Sequence, residues 1–300
     1  MHKKLKFFGV LTSIGVLIVL LQGALVTKTG SGEGCGATWP LCFGEVIPTN
    51  PAIATIIEYS HRIVSGLVGI LIIILALWSW KQLKHVKEAK AMAIAAVILI
   101  IFQGLLGAGA VVFGQSKAIL ALHFGISAMS LAAVVLLTIL AFEDSKASHV
   151  VATVSKRYKY YFFFVITYCY AVIYTGAYVK HTKATLACSG FPLCNGQVFP
   201  GFEGPIGVHY FHRVAGTLLL VFLLILMIWT IRHFKSERVL MWASIISFLF
   251  VCAQLISGVS VVFTKNEVIS VGLLHALIIS VLFSTLSYMA MILLRKSNLK

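Results

Sequence analysis

Four histidines have the type and spacing to do chemistry: His61, His123, His212 and His275, each set in a long apolar run. The interval from His61 to His123 nearly equals that from His212 to His275, and each later histidine follows its earlier counterpart by about 150 residues. An imidazole within a membrane-crossing segment is costly and needs a partner or a task. Taken singly, each ring reads as a hydrogen-bonded core residue; two matched pairs read as opposed rings clasping a ligand. Zinc or copper would normally need a third or fourth protein donor, and no carboxylate or thiol recurs at this depth in both halves. Haem needs only two imidazoles, because its ring supplies the other four nitrogens to the iron.

Residues beside the histidines extend this reading. Arg62 and Arg213 directly follow the first histidine of each pair. They are suited to haem propionates at the membrane rim, although a long cationic side chain also snorkels there with no ligand present. Glu58 lies one helical turn before His61, where His209 stands before His212. A carboxylate in one half can hold water or relay protons, whereas the imidazole in the other suggests a different task. The competing reading of Glu58 is a hydrated residue at the span's edge.

Two cysteine pairs, Cys35 with Cys42 and Cys188 with Cys194, fall in long loops after the first and fifth apolar runs. Outside the cytoplasm such thiols oxidise, so two local disulfides are expected. Zinc binding and redox exchange through Cys35 and Cys42 are alternatives to a structural staple over the site. Cys169 and Cys252 fall inside apolar runs as packing residues.

The elements that must position these groups follow from composition. The chain has 300 residues, 60% hydrophobic and 11% charged, which is outside the range of soluble proteins. Apolar segments at 7–27, 58–80, 91–113, 118–142, 160–179, 208–231, 239–262 and 268–294 predict about eight transmembrane helices, an all-α integral membrane protein. The first run imitates a signal peptide but is long and lacks an obvious small-residue cleavage site, so it is expected to persist as a span.

The net charge of +15 would suggest nucleic acid in a soluble protein, but the bases cluster in alternate gaps. Lys3, Lys4 and Lys6, then Lys81, Lys84, Lys87 and Lys90, Lys146, Lys156, Arg157 and Lys159, Arg232, Lys235 and Arg238, and Arg295, Lys296 and Lys300 share one side. The positive-inside rule makes that side cytoplasmic, with both termini in the cytoplasm and the histidines towards the outer face of a cell membrane. Topology therefore accounts for the charge without a nucleic-acid partner; the surrounding partner is the lipid bilayer.

The halves also repeat outside the histidines. Gly23-Ala24-Leu25-Val26 recurs as Gly176-Ala177-Tyr178-Val179, Trp39-Pro40-Leu41-Cys42 as Phe191-Pro192-Leu193-Cys194, and Val111-Val112-Phe113 as Val261-Val262-Phe263. Four spans separate equivalent positions, so two pseudo-symmetric four-helix bundles enter the membrane in the same direction, related by an axis along its normal. The expected division is an N-terminal bundle at 1–145, a cytoplasmic linker at 146–159 and a C-terminal bundle at 160–300.

Together, Thr27-Lys28-Thr29-Gly30-Ser31-Gly32 leading to Cys35, Trp39-Pro40-Leu41-Cys42, Glu58-x-x-His61-Arg62, Leu122-His123-Phe124-Gly125, His212-Arg213 and Leu274-His275 resemble the heme A synthases of the eight-span prokaryotic type over essentially the full length. The resemblance implies oxidation of the C8 methyl of haem O to the formyl of haem A, by successive hydroxylation and loss of water from a geminal diol, for cytochrome oxidase. It implies that His61 and His123 hold the substrate haem, with Glu58 in the catalytic half, and that His212 and His275 hold a haem b cofactor. Heme O synthase and an unidentified electron acceptor or donor are the partners it suggests. Two histidines on one iron leave no open position for oxygen. Either His61 or His123 is then displaced in turnover, or electrons are removed and water attacks near Glu58. From the residues alone, the other reading is a di-haem b electron carrier such as a quinol-oxidising cytochrome.

Overall fold

A computed structural model describes residues 3–114, 116–144, 150 and 152–295. It contains α1 (Lys3–Thr29), α2 (Ile53–Gln82), α3 (Lys87–Val112), α4 (Lys117–Glu143), α5 (Lys156–His181), α6 (Gly204–His233), α7 (Arg238–Phe263) and α8 (Ile269–Leu294). All eight are long and apolar enough to cross a membrane. The apolar pattern thus forms helices throughout, since a lipid-exposed backbone must satisfy its own hydrogen bonds. Two isolated bridges in the loops are the only extended pairing among the described residues.

The chain divides into two compact units, 1–145 and 146–300. In the first, neighbours run in a ring, α1 against α2, α2 against α3, α3 against α4 and α4 back against α1. The second repeats this ring with α5, α6, α7 and α8. In each unit the histidine-bearing helices, α2 with α4 and α6 with α8, are therefore diagonal partners across a four-helix bundle. Part of the expected 146–159 linker, at 146–149 and 151, lies outside the described residues. Its last four residues are helical: Ser155 caps α5 by accepting from the Tyr158 N–H at 3.3 Å, so the helix begins at Lys156.

Polar contacts fix helix pairs at different depths. In unit 1, Ser13 Oγ lies 3.1 Å from Thr138 Oγ1, where Gly9 lets α1 approach α4 closely. In unit 2, the buried Tyr158 hydroxyl meets Thr230 Oγ1 at 2.7 Å, tying α5 to α6 beneath the edge-on rings of Trp229 and Phe234.

Several helices overrun the apolar segments. The largest extension is at the start of α2, which Pro51 precedes; α6 also begins early, where Pro205 stands in the first turn with a φ suited to it. The apolar runs alone set His61 and His212 about one turn below the outer ends. The helices place both eight residues in, about 12 Å along the axis, and His123 and His275 six residues in, about 9 Å. All four therefore sit at comparable depth, and Glu58 is 4% exposed rather than at a hydrated edge.

Candidate functional site

Each of the four histidines faces a glycine on the preceding helix. His61 packs over Gly23 of α1, His123 over Gly107 of α3, His212 over Gly176 of α5 and His275 over Gly258 of α7. A β-carbon at these glycines would lie 3.3, 3.6, 2.8 and 3.1 Å from the respective Cε1 atoms. In each bundle the even helices supply rings and the odd helices supply flat backbone for the rings to lie on.

The polar surroundings of the rings differ between the units. His212 Nδ1 lies 2.9 Å from Thr175 Oγ1, and His275 Nδ1 lies 2.9 Å from Ser257 Oγ. Both hydroxyls donate their protons to carbonyls of their own helices, Thr175 to Val172 and Ser257 to Gln254, each at 2.9 Å. They are left to accept from Nδ1–H, which fixes the lone pair on Nε2 in both rings. In unit 1, His123 Nδ1 is buried with no hydrogen-bond partner. His61 Nδ1 has only Ser65 Oγ at 3.5 Å, and that hydroxyl donates to the His61 carbonyl at 2.5 Å.

The Glu58 and His209 positions do the same mechanical job with different chemistry. Glu58 Oε2 accepts from the Cys35 N–H at 2.8 Å while Oε1 pairs with Arg62 Nη2. Arg62 Nη1 reaches the carbonyls of Thr38 at 2.6 Å and Leu41 at 3.0 Å. In unit 2, the Cys188 N–H approaches His209 Nδ1 at 3.2 Å, and Arg213 Nε–H approaches His209 Nε2 at 3.2 Å. Arg213 also donates to the carbonyls of Cys188 at 2.8 Å, Gly190 at 2.8 Å and Leu193 at 3.4 Å. A carboxylate accepts both of its donors; a neutral imidazole has one lone pair and accepts one at a time.

These contacts bolt the loop before α2 onto that helix and the loop before α6 onto its own. Both loops are closed by the expected disulfides, Cys35–Cys42 and Cys188–Cys194, with all four sulfur-bearing residues buried. After each second cysteine the chain reverses in two residues, Phe43-Gly44 and Asn195-Gly196, all four at positive φ. The Cys42–Glu45 and Cys194–Gln197 backbone pairs close these turns, the geometry of a primed hairpin turn in which glycine is unstrained. Arg62 and Arg213 are engaged by the loops, so a propionate role would share each arginine with the loop it holds.

The donor set suits haem. Each unit offers two imidazoles from diagonal helices, and among the described residues no three His, Cys, Asp or Glu side chains form a metal-sized cluster. An apolar cavity of about 440 Å³ opens beside Thr175, lined also by Tyr174, Tyr178, Phe202 and Phe211, but neither His212 nor His275 lines it. One adjustment is required: Gln254 donates to His275 Nε2 at 3.0 Å, the nitrogen an iron would take. Its repeat counterpart Gln103 instead donates to the His123 carbonyl at 2.8 Å, which is the alternative open to such an amide. The glycines, Thr175, Ser257 and the two glutamines were not among the residues expected from sequence to form the site. Their signal there was the recurrence of Gln103-to-Gly107 spacing at Gln254-to-Gly258.

Eight helices long and apolar enough to cross a membrane, bearing histidines on diagonal helices of each unit beside disulfide-closed loops, define a multi-pass membrane protein. Residues 6–287 match the model of a family described as cytochrome oxidase assembly protein. The chain is 76% identical over 298 residues to the heme A synthase of Alkalihalophilus pseudofirmus, covering 99% of this chain and 100% of that one. It is 66% identical to the heme A synthase of Halalkalibacterium halodurans, covering 98% and 99%, and 49% identical to that of Bacillus mycoides, covering 97% and 94%. The chain belongs to the cytochrome oxidase assembly protein family, in its heme A synthase branch.

Proposed function

We propose that this chain is an oxidoreductase that converts the C8 methyl of haem O into the formyl of haem A for cytochrome oxidase. The observation that carries this reading is kinship to heme A synthases along nearly the whole chain. In this proposal His61 and His123 hold haem O, and His212 and His275 hold a haem b cofactor. Haem b would supply an electron-accepting iron when bound; Arg62 and Arg213 would face the propionates of the two haems while holding their loops. Both termini lie in the cytoplasm and the haem sites face the outer leaflet, in keeping with the distribution of lysine and arginine.

Written as a half-reaction, methyl plus water gives formyl plus four protons and four electrons. The electrons require an acceptor outside the chain, and heme O synthase is the donor of substrate. Glu58, one turn from His61 and enclosed with Arg62, is the group assigned to take protons at the substrate. Its twin His209 lies in the unit assigned to electron transfer. A di-haem carrier would share the paired histidines but would make no new porphyrin.

The test is to supply haem O to membranes containing the protein and follow pigments by chromatography. Haem A accumulating with the wild type and not with His61→Ala is the expected result. Quinol-dependent reduction of the protein with no haem A would overturn the proposal in favour of the carrier.

A further inference from the structure

The two units give their histidines different partners, and the difference lies in the residue just before each supporting glycine. In unit 2 these residues are Thr175 before Gly176 and Ser257 before Gly258, and their hydroxyls accept from the Nδ1–H of His212 and His275 at 2.9 Å. In unit 1 the same places hold Gln22 before Gly23 and Leu106 before Gly107. Leu106 offers no polar atom, and the Gln22 amide oxygen is buried with no hydrogen-bond partner. Accordingly His123 Nδ1 is unpartnered, and His61 Nδ1 has only the Ser65 hydroxyl at 3.5 Å, well beyond the 2.9 Å of the unit 2 contacts.

Packing runs the same way. The space for a β-carbon between ring and backbone is tighter over Gly176 and Gly258 than over Gly23 and Gly107. A ring held at Nδ1 and pressed on a flat backbone cannot tilt or swap nitrogens without losing a hydrogen bond. A ring lacking that partner turns at little cost. Partners at the far nitrogen of a metal-binding histidine typically change metal affinity by about 10- to 100-fold.

We propose that Thr175 and Ser257 are positioning residues that make unit 2 a retaining haem site, and that their replacement by Gln22 and Leu106 makes unit 1 a releasing one. This deepens the assignment of cofactor and substrate given above and rests on it. A cofactor must stay through many turnovers, whereas a substrate haem must enter, leave as product and free a ligand on the way. The hydroxyl partners supply the first behaviour and their absence the second.

The experiment measures haem transfer from the full-length protein in detergent to excess apomyoglobin, alongside the haem b midpoint potential. Thr175→Val and Ser257→Ala should each speed haem b loss about 10-fold or more. Both should raise the midpoint potential, because an imidazole that no longer donates from Nδ1 is a weaker base towards ferric iron. Thr175→Ser and Ser257→Thr should restore both values. Leu106→Ser should slow transfer of haem O from unit 1 about 10-fold relative to Leu106→Ala. His212→Ala and His61→Ala serve as references. If haem b survives His212→Ala, the assignment of cofactor to unit 2 fails and this inference with it. If the references behave as expected while the hydroxyl variants transfer haem at the wild-type rate and potential, the inference alone is overturned.

Discussion

Units 1 and 2 build the same ring of four helices, the same glycine-backed histidine pairs and the same disulfide-closed loop, yet they line these parts differently. Glu58 answers two donors with a carboxylate where His209 answers two donors with one lone pair. Hydroxyls steady both rings in unit 2, and nothing comparable steadies those of unit 1. The difference teaches that duplication fixed where the imidazoles stand, while neighbouring side chains decide what each pair is for. On the proposed assignment, a backbone that tolerates either lining lets one copy specialise in holding and the other in exchange.

The largest expected effects come from removing the rings. His212→Ala or His275→Ala should abolish the haem b absorbance of the purified protein, while His61→Ala or His123→Ala should leave that absorbance and abolish haem A formation. If all four variants lost haem b equally, the division between the units would be broken. Next in size is the carboxylate. Glu58→Gln keeps an acceptor for the Cys35 N–H but loses the ion pair with Arg62, so turnover should fall by about 100-fold or more with haem content little changed. An unchanged rate would reduce Glu58 to a fastener of the loop.

A smaller and graded effect is expected from the glycines. Gly176→Ala sets a β-carbon 2.8 Å from the His212 ring, a distance that forces the ring or helix to shift; Gly107→Ala sets one at 3.6 Å, an ordinary contact. Haem b retention should therefore drop several-fold in Gly176→Ala, whereas haem O binding in Gly107→Ala should stay near wild type. Equal behaviour of the two would mean that unit 2 is no more tightly built than unit 1.

Much of this was legible in the residues. Eight apolar runs became eight helices because a bilayer leaves the backbone few other choices, and the cysteine pairs joined because seven and six residues of loop can easily close on themselves. His61, His123, His212 and His275 stood out because polar rings are rare in apolar runs and these recur. The depth of Glu58 was not legible: hydropathy marks where lipid begins, whereas hydrogen bonding and the flanking prolines mark where the helix begins, several residues earlier. Nor were Gly23, Gly107, Gly176 and Gly258 legible as ring supports, since small residues in membrane helices usually serve helix packing. Thr175 and Ser257 were hidden for a related reason. A hydroxyl in such a helix commonly bonds back to its own backbone, and only the coordinates reveal that each of these also faces an imidazole.

The smallest effect sharpens the comparison at its most asymmetric point. His209 is 5% exposed and is approached by two N–H donors, from Cys188 and from Arg213, at 3.2 Å each. With a single lone pair, the neutral ring accepts only one of the two at any moment. His209→Glu would accept both, as Glu58 does in unit 1, and would give Arg213 a countercharge. A charge-assisted hydrogen bond of this kind contributes about 1.5 to 3 kcal/mol against the desolvation of a new carboxylate. The expected net gain is about 1 kcal/mol, read as a rise of a few degrees in the thermal unfolding midpoint. Haem A formation should not rise in this variant, because His212 and His275 keep their hydroxyl partners and unit 2 stays a retaining site. A lowered midpoint would mean that the imidazole suits its place better than a carboxylate, and that the difference at this position is structural rather than a mark of different tasks.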